Sequence, residues 1–213
     1  MAAPWFSDNA IETELNMSPD LLRARFARLN EFKWQADWPV TAQQAAAAVL
    51  IALVPRPSGF QVLLTRRTDH LHHHAGQISF PGGRMEDEDA SLIETALREA
   101  NEEVGLTATD LEILGVLPVF GTPSGFCITP VVGLLGENPA LHLDAFEVAE
   151  AFEVPLDFLL ERANYQTHRI RWQGGVRHVL AVPHGGRFIW GATAGMLHML
   201  MHLLKDIGQS GQL

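Results

Sequence analysis

The stretch Arg98-Glu99-Ala100-Asn101-Glu102-Glu103-Val104-Gly105-Leu106 constrains this chain more than any other. Glu99, Glu102 and Glu103 stand at i, i+3 and i+4, so on a helix they share one surface, within an arc of roughly 100°. Leu92, Ile93, Ala96, Leu97, Ala100 and Val104 form an apolar arc beside them, the mark of a helix lying on a core. Like charges so placed repel by about a few tenths of a kcal/mol per pair. A hard divalent cation reverses that sign, because Mg2+ or Mn2+ takes carboxylate oxygens and bridges them to phosphate. The pattern points to a helix that presents metal ions to a phosphorylated substrate.

The rest of the chain supplies a frame for that helix. Ser18-Pro19-Asp20 reads as a helix start, with Ser as N-cap and an acid near the positive end. Leu21, Leu22, Phe26 and Leu29 continue it as a stripe ending near Phe32. Residues 1–44 are expected to form an N-terminal helical extension that packs on the core or on a second subunit, so a homodimer is one assembly to expect. Residues 45–207 are expected to form the main domain. Ala45–Val54 and Phe60–Thr65 read as strands joined by Pro55-Arg56-Pro57-Ser58-Gly59. Asp69–Gly76 is a histidine-rich loop, Gln77–Phe80 a short strand, and Pro81-Gly82-Gly83 a turn. The acidic helix is expected from about Ala90 to Val104, capped by Asp89 or Ser91 and ended by Gly105. Strands are expected over Leu111–Phe120, Ile128–Leu135 and Glu150–Val154, with a short helix from Pro155. A hairpin follows, from Ile170–Trp172 to Val176–Val182, turning at Gln173-Gly174-Gly175. Trp190-Gly191-Ala192-Thr193 leads into a last helix. Strands on both sides of one strongly patterned helix predict an α/β/α sandwich around a mixed β-sheet.

With 213 residues and 47% hydrophobic content, the chain is long enough for one well-buried core. A net charge of −10 argues against a nucleic-acid partner, which needs a basic face. It leaves a small phosphorylated molecule open, since a bound metal inverts the local potential. Cys127 is the single cysteine, which excludes an intramolecular disulfide and a cysteine-based zinc site. The N-terminus lacks a basic-then-apolar signal pattern, and Ala45–Val54 is too short to span a bilayer. A cytoplasmic enzyme without membrane contact is the expectation.

Gly82-Gly83 followed by Arg-Glu-x-x-Glu-Glu-x-Gly resembles the Nudix box of enzymes that hydrolyse nucleoside diphosphates linked to another moiety. Gly83 to Asp89 keeps the usual first interval, while the next is one residue longer and Asp89 stands where Glu is usual. Leu63-Leu64-Thr65-Arg66-Arg67-Thr68, His72, Gly76 and Phe80-Pro81-Gly82-Gly83 resemble the coenzyme A pyrophosphatase signature upstream of the box. Thr68 stands there in place of Ser or Ala, and His72 in place of Arg. The resemblance implies Mg2+ or Mn2+ held by Glu99, Glu102 and Glu103, with a carbonyl of the Gly82-Gly83 turn adding an oxygen. It implies Arg98 as the group that orients a ligand carboxylate. Glu147, or else Glu150, is then the acid that completes the metal shell or acts as base. Arg66, Arg67 and Arg84 are the cations suited to phosphate, because guanidinium is always charged and forked. His72 joins them as a titratable contact. Trp172, Trp190 and Phe126 are candidates for stacking on adenine, although core packing is the commoner use of such rings. The implied reaction is hydrolysis of coenzyme A or a derivative to 3′,5′-ADP and 4′-phosphopantetheine. Hydrolysis of ADP-ribose, NADH or a nucleoside triphosphate is the alternative within the family, and a ligand sensor without turnover is the alternative outside catalysis.

Overall fold

The structure, a computed structural model, describes residues 17–34, 40–41, 43–71, 74–137, 139–172 and 175–206. Along the chain its elements are α1 (Pro19–Ala27), β1 (Ala45–Val54), β2 (Gln61–Arg67), β3 (Ile78–Ser79), β4 (Gly82–Arg84) and α2 (Leu92–Val104). They continue with β5 (Leu111–Val116), β6 (Phe120–Gly121), β7 (Phe126–Leu135), β8 (Val148–Pro155) and α3 (Leu156–Leu160). Last come β9 (Gln166–Trp172), β10 (Gly175–His184), β11 (Arg187–Trp190) and α4 (Ala192–Asp206).

β1 is the strand on which the two layers meet. Ala48, Leu50, Ala52 and Val54 turn to one face, where they cluster with Ala96, Ala100 and Val104 of α2. Val49, Ile51 and Leu53 turn to the other, where they cluster with Leu197, Leu200 and Leu204 of α4. Burial on both faces explains why this strand reads as an unbroken apolar run. The main sheet has the order β3-β2-β1-β7-β5, with β4 on β1, β6 on β7 and β8 on β2. It is mixed, because β1 and β7 run parallel while β1 is antiparallel to β2 and β4. With α2 and α4 on opposite faces, this is the α/β/α sandwich expected from the sequence. A second antiparallel sheet, β11-β10-β9, lies against α4 and β3.

Ser18 caps α1 by accepting from the Leu21 N–H at 3.1 Å, and Leu22 and Phe26 bury their side chains in the α4-side core. Among the described residues, then, this segment packs on the core. Residues 1–16 of the expected extension lie outside the described residues, as does the hairpin turn at Gln173-Gly174. No helix among the described residues is long and apolar enough to cross a membrane.

Several boundaries differ from the sequence expectation. Gly82-Gly83, expected as a turn, belongs to β4, where Gly83 pairs with Ala48 and Gly82 with Val49. Glycine has low strand propensity, so only the tertiary pairing reveals it. The strand expected over Leu111–Phe120 breaks after Val116 and resumes at Phe120; Pro118 in the gap has no N–H to donate. β9 starts at Gln166 rather than Ile170, and β11 was not expected.

Helix α2 starts and stops as its sequence dictates. Ser91 accepts from the Glu94 N–H at 3.2 Å. Gly105 closes the helix with φ +75°, a left-handed conformation that disfavours side chains. A Cβ there would also lie 2.9 Å from His142 Cβ and 3.1 Å from His142 N. Gly105→Ala is therefore expected to lower the unfolding free energy by more than about 1 kcal/mol. Urea denaturation checks this, with an unshifted midpoint as the contrary result.

Candidate active site

Two glycines and four alanines line the seam where α2 packs on β1 and β4. Ala96 and Ala100 of α2 pack in one cluster with Ala48 and Ala52 of β1, and β4 lies beside them. A Cβ on Gly82 would sit 2.4 Å from the Ala48 carbonyl oxygen, and one on Gly83 would sit 2.3 Å from Glu99 Oε1. At Gly82 the obstacle is the β1 backbone, so only glycine fits; at Gly83 it is the end of the Glu99 side chain, so the backbone there lies directly against that carboxylate.

Arg98 locks the outer side of the acidic group. Its Nε donates to Asp89 Oδ1 at 2.9 Å and its Nη2 to Asp89 Oδ2 at 3.0 Å, a forked pair. Nη1 donates to Glu99 Oε1 and to Glu102 Oε2, both at 3.0 Å, and Nη2 also donates to the Arg84 carbonyl at 3.0 Å. Asp89 in turn accepts from Thr95 Oγ1 and from the Glu86 N–H, each at 2.9 Å. These bonds, Arg98 foremost, hold its carboxyl well below the usual carboxylate range. The longer box loop thus returns Asp89 onto Arg98, a role that spacing alone did not reveal.

Arg67 locks the inner side. Its Nη1 donates to Glu103 Oε1 at 3.3 Å and its Nη2 to Glu147 Oε2 at 3.2 Å. Glu103 is only 4% exposed, and its Oε2 is buried without a hydrogen-bond partner. Burial pushes its pKa up to about 8; Arg67 opposes that shift, while Glu99 and Glu147 add to it. Glu99 is raised as well, chiefly by burial, with Arg98 opposing. Glu102 stands at the exposed end of the group, its side chain 58% accessible.

The structure thus gathers Gly83, Arg98, Glu99, Glu102, Glu103, Arg67 and Glu147. Glu150 is turned elsewhere: it accepts from Arg187 and lies 3.9 Å from Arg66 Nε. Arg66 also bonds Asp69 at 3.2 Å. Arg84 lends its carbonyl to Arg98 while its side chain is exposed. His72 lies outside the described residues. Phe126 faces Ala45 across the β1–β7 pair, and Trp190 pairs with Ala181 in the second sheet.

The donor set suits a hard divalent cation. It offers only carboxylate and backbone oxygens, one of them the unsatisfied buried Oε2 of Glu103. Among the described residues no three acid, cysteine or histidine side chains already surround one point closely enough to hold an ion. Arg67 and Arg98 lie between the carboxylates instead, neutralising them.

The model of the Nudix domain matches residues 43–172, more than half of the chain. The chain belongs to the Nudix family. A relative from Yersinia enterocolitica, named as an uncharacterised Nudix hydrolase NudL, is 44% identical over 175 residues, covering 81% of this chain and 89% of its own. A protein of the same name from Pectobacterium atrosepticum is 42% identical over 184 residues, covering 84% of this chain and 95% of its own. Among solved structures, a Nudix hydrolase from M. smegmatis, RenU, aligns over 80% of this chain and 89% of its own. Its identity is 21% and its TM-score 0.49.

Two outcomes follow for this Nudix hydrolase. In metal-free protein the raised pKa of Glu103 means that the folded state holds a proton which the unfolded state gives up near pH 4.5. That stabilisation is full below about pH 4.5 and lost as pH rises to about 8. Urea unfolding in chelator is expected to show stability falling across this window by the order of a few kcal/mol. Glu103→Gln should flatten the fall. Separately, Asp89→Asn keeps shape but removes the charge that fixes Arg98. Its Mn2+ affinity by calorimetry is expected to drop about 10- to 100-fold; unchanged affinity would remove Asp89 from the supporting shell.

Proposed function

We propose that this Nudix hydrolase cleaves the diphosphate of coenzyme A or a derivative, giving 3′,5′-ADP and 4′-phosphopantetheine, with Mg2+ or Mn2+ as cofactor. The observation that carries the reading is Arg67. It belongs to the Leu63–Thr68 stretch that resembles the coenzyme A pyrophosphatase signature, and it spans Glu103 and Glu147. A feature tied by sequence to substrate class thus lies within the acidic group tied to chemistry.

In this reading Glu99, Glu102 and Glu103 hold the cations, and the close backbone at Gly83 offers a carbonyl to them. The bound cations supply positive charge that offsets the diphosphate and makes water more acidic. Arg98 keeps Glu99 and Glu102 in fixed orientation, so little rearrangement is needed when substrate arrives. Arg67 is committed by two single bonds rather than a fork, which leaves guanidinium donors for a phosphate oxygen. Arg66, next to it in β2, and Arg84 of β4 are further cations, and His72 is the titratable residue that the sequence adds to them. Glu147 is the acid placed to take the proton of the attacking water. Water adds to one phosphorus, the bridging P–O bond breaks, and the leaving phosphate keeps the bridging oxygen. A second reading, hydrolysis of ADP-ribose, NADH or a nucleoside triphosphate, is favoured by His72, because histidine replaces a permanent cation there.

Mass spectrometry of products from coenzyme A, ADP-ribose, NADH and nucleoside triphosphates, with each metal, tests both readings. Coenzyme A is expected to be consumed fastest, giving the two named products. Glu102→Gln is expected to lower that rate at least about 100-fold, because a neutral amide is a poor ligand for a hard cation. Faster turnover of any other substrate favours the second reading. Wild-type turnover by Glu102→Gln overturns the role given to that residue.

A further inference from the structure

Phe146 is 65% exposed, more than any other large apolar side chain in the described core and surface. It immediately precedes Glu147, whose carboxylate meets Arg67. The backbone beneath the ring is firmly held. Its carbonyl accepts from Thr68 Oγ1 at 2.7 Å, and its N–H donates to Asp144 Oδ1 at 2.9 Å. The Thr68 N–H also donates to the Glu147 carbonyl at 2.9 Å. His70, exposed on the loop after β2, rests against the ring at 4.8 Å between centroids, tilted by 59°. The loop that carries His70 is itself tethered by the Arg66–Asp69 bond.

We infer that Phe146, braced by His70, is the stacking platform for the heteroaromatic base of the substrate. The inference rests on the reading of the site as one for a nucleoside diphosphate derivative, and it names where the nucleoside end lies. A ring on a backbone held this firmly loses little freedom when a ligand covers it, and covering it removes apolar area from water. Two rings are far too small for a stable protein interface, which buries about 1,200 Å² or more. They match a purine, whose flat π-face stacks on an aromatic ring whatever its sequence context. A ring on the residue next to Glu147 along the chain also suits a molecule in which the base sits a fixed short distance from its diphosphate. Of the rings suggested by sequence, Trp190 lies in β11 of the second sheet and Phe126 in β7 opposite Ala45, so neither adjoins Glu147 along the chain.

Calorimetry with Mg2+ present tests this, using AMP, ribose 5-phosphate and inorganic pyrophosphate as probes. Wild-type protein is expected to bind AMP more tightly than ribose 5-phosphate. Phe146→Ala should weaken AMP about tenfold while leaving the two base-free probes unchanged, and Phe146→Trp should retain or strengthen AMP binding. Phe146→Leu, which keeps apolar bulk without a π-face, should follow the alanine variant and serves if that variant misfolds. Equal losses for AMP and ribose 5-phosphate, or no loss for AMP, overturn the inference. So does a shift in sedimentation of Phe146→Ala without a change in AMP affinity, which assigns the ring to a contact between copies. Loss of AMP affinity with no coenzyme A turnover in wild type upholds the platform and rejects coenzyme A. Coenzyme A turnover with unaltered AMP affinity does the reverse.

Discussion

The close approach of α2 to β1 and β4 is the constraint on which the site depends. Alanines on both partners keep the layers close, Gly83 leaves room for the Glu99 carboxylate, and Gly82 lets β4 lie against the β1 backbone. The consequence is electrostatic. Glu99 and Glu103 are carried toward the sheet with the helix and lose water, and burial is the leading cause of the upward pKa shift at each. A fold stabilised by apolar contact thus holds two carboxylates in a state that favours a proton or a cation over solvent. Wider packing at this seam would leave the acids hydrated and ordinary.

The two arginines answer that cost differently. Arg98 is fully engaged, with a forked bond to buried Asp89 and further bonds to Glu99, Glu102 and the Arg84 carbonyl. Its pKa is raised far above normal, with Asp89 the largest cause, so its charge and position are fixed. Arg67 makes two longer single contacts across the gap between α2 and the start of β8. A group held at 3.2–3.3 Å on each side is the easier of the two to re-aim toward a competing acceptor. One guanidinium is therefore scaffold, and the other is suited to exchange partners.

What the sequence shows and what it conceals divide along contact range. β1 and the limits of α2 were legible because burial on two faces, a serine cap and a left-handed glycine are local signals. The sandwich followed from them. β4 was hidden because two glycines look like a turn until their β1 partner is known. Asp89 was hidden because its partners Arg98 and Thr95 become neighbours only when the loop folds back. Arg67 was legible as a cation, but its position between Glu103 and Glu147 joins residues 36 and 80 positions away. Phe146 carried no periodic signal at all, since an exposed ring on a loop resembles any other surface aromatic.

The same hydrogen bonds that finish α2 also place the residues opposite it. A helix leaves its last carbonyls without internal partners. Here the loop before β8 satisfies two of them, with the His142 N–H on the Val104 carbonyl at 2.9 Å and the Asp144 N–H on the Glu103 carbonyl at 3.0 Å. Asp144 then accepts from the backbone N–H groups of Glu147 and Val148 at 3.1 and 2.8 Å, closing a tight turn. Glu147 and Phe146 are thereby positioned by the helix end itself rather than by a mobile loop. Because Glu103 supplies both a backbone carbonyl to this turn and a carboxylate to Arg67, any shift of α2 moves the acids and the turn together. The distance between the acids of α2 and the residues facing them is therefore set by helix capping, a local backbone requirement that has no specificity of its own.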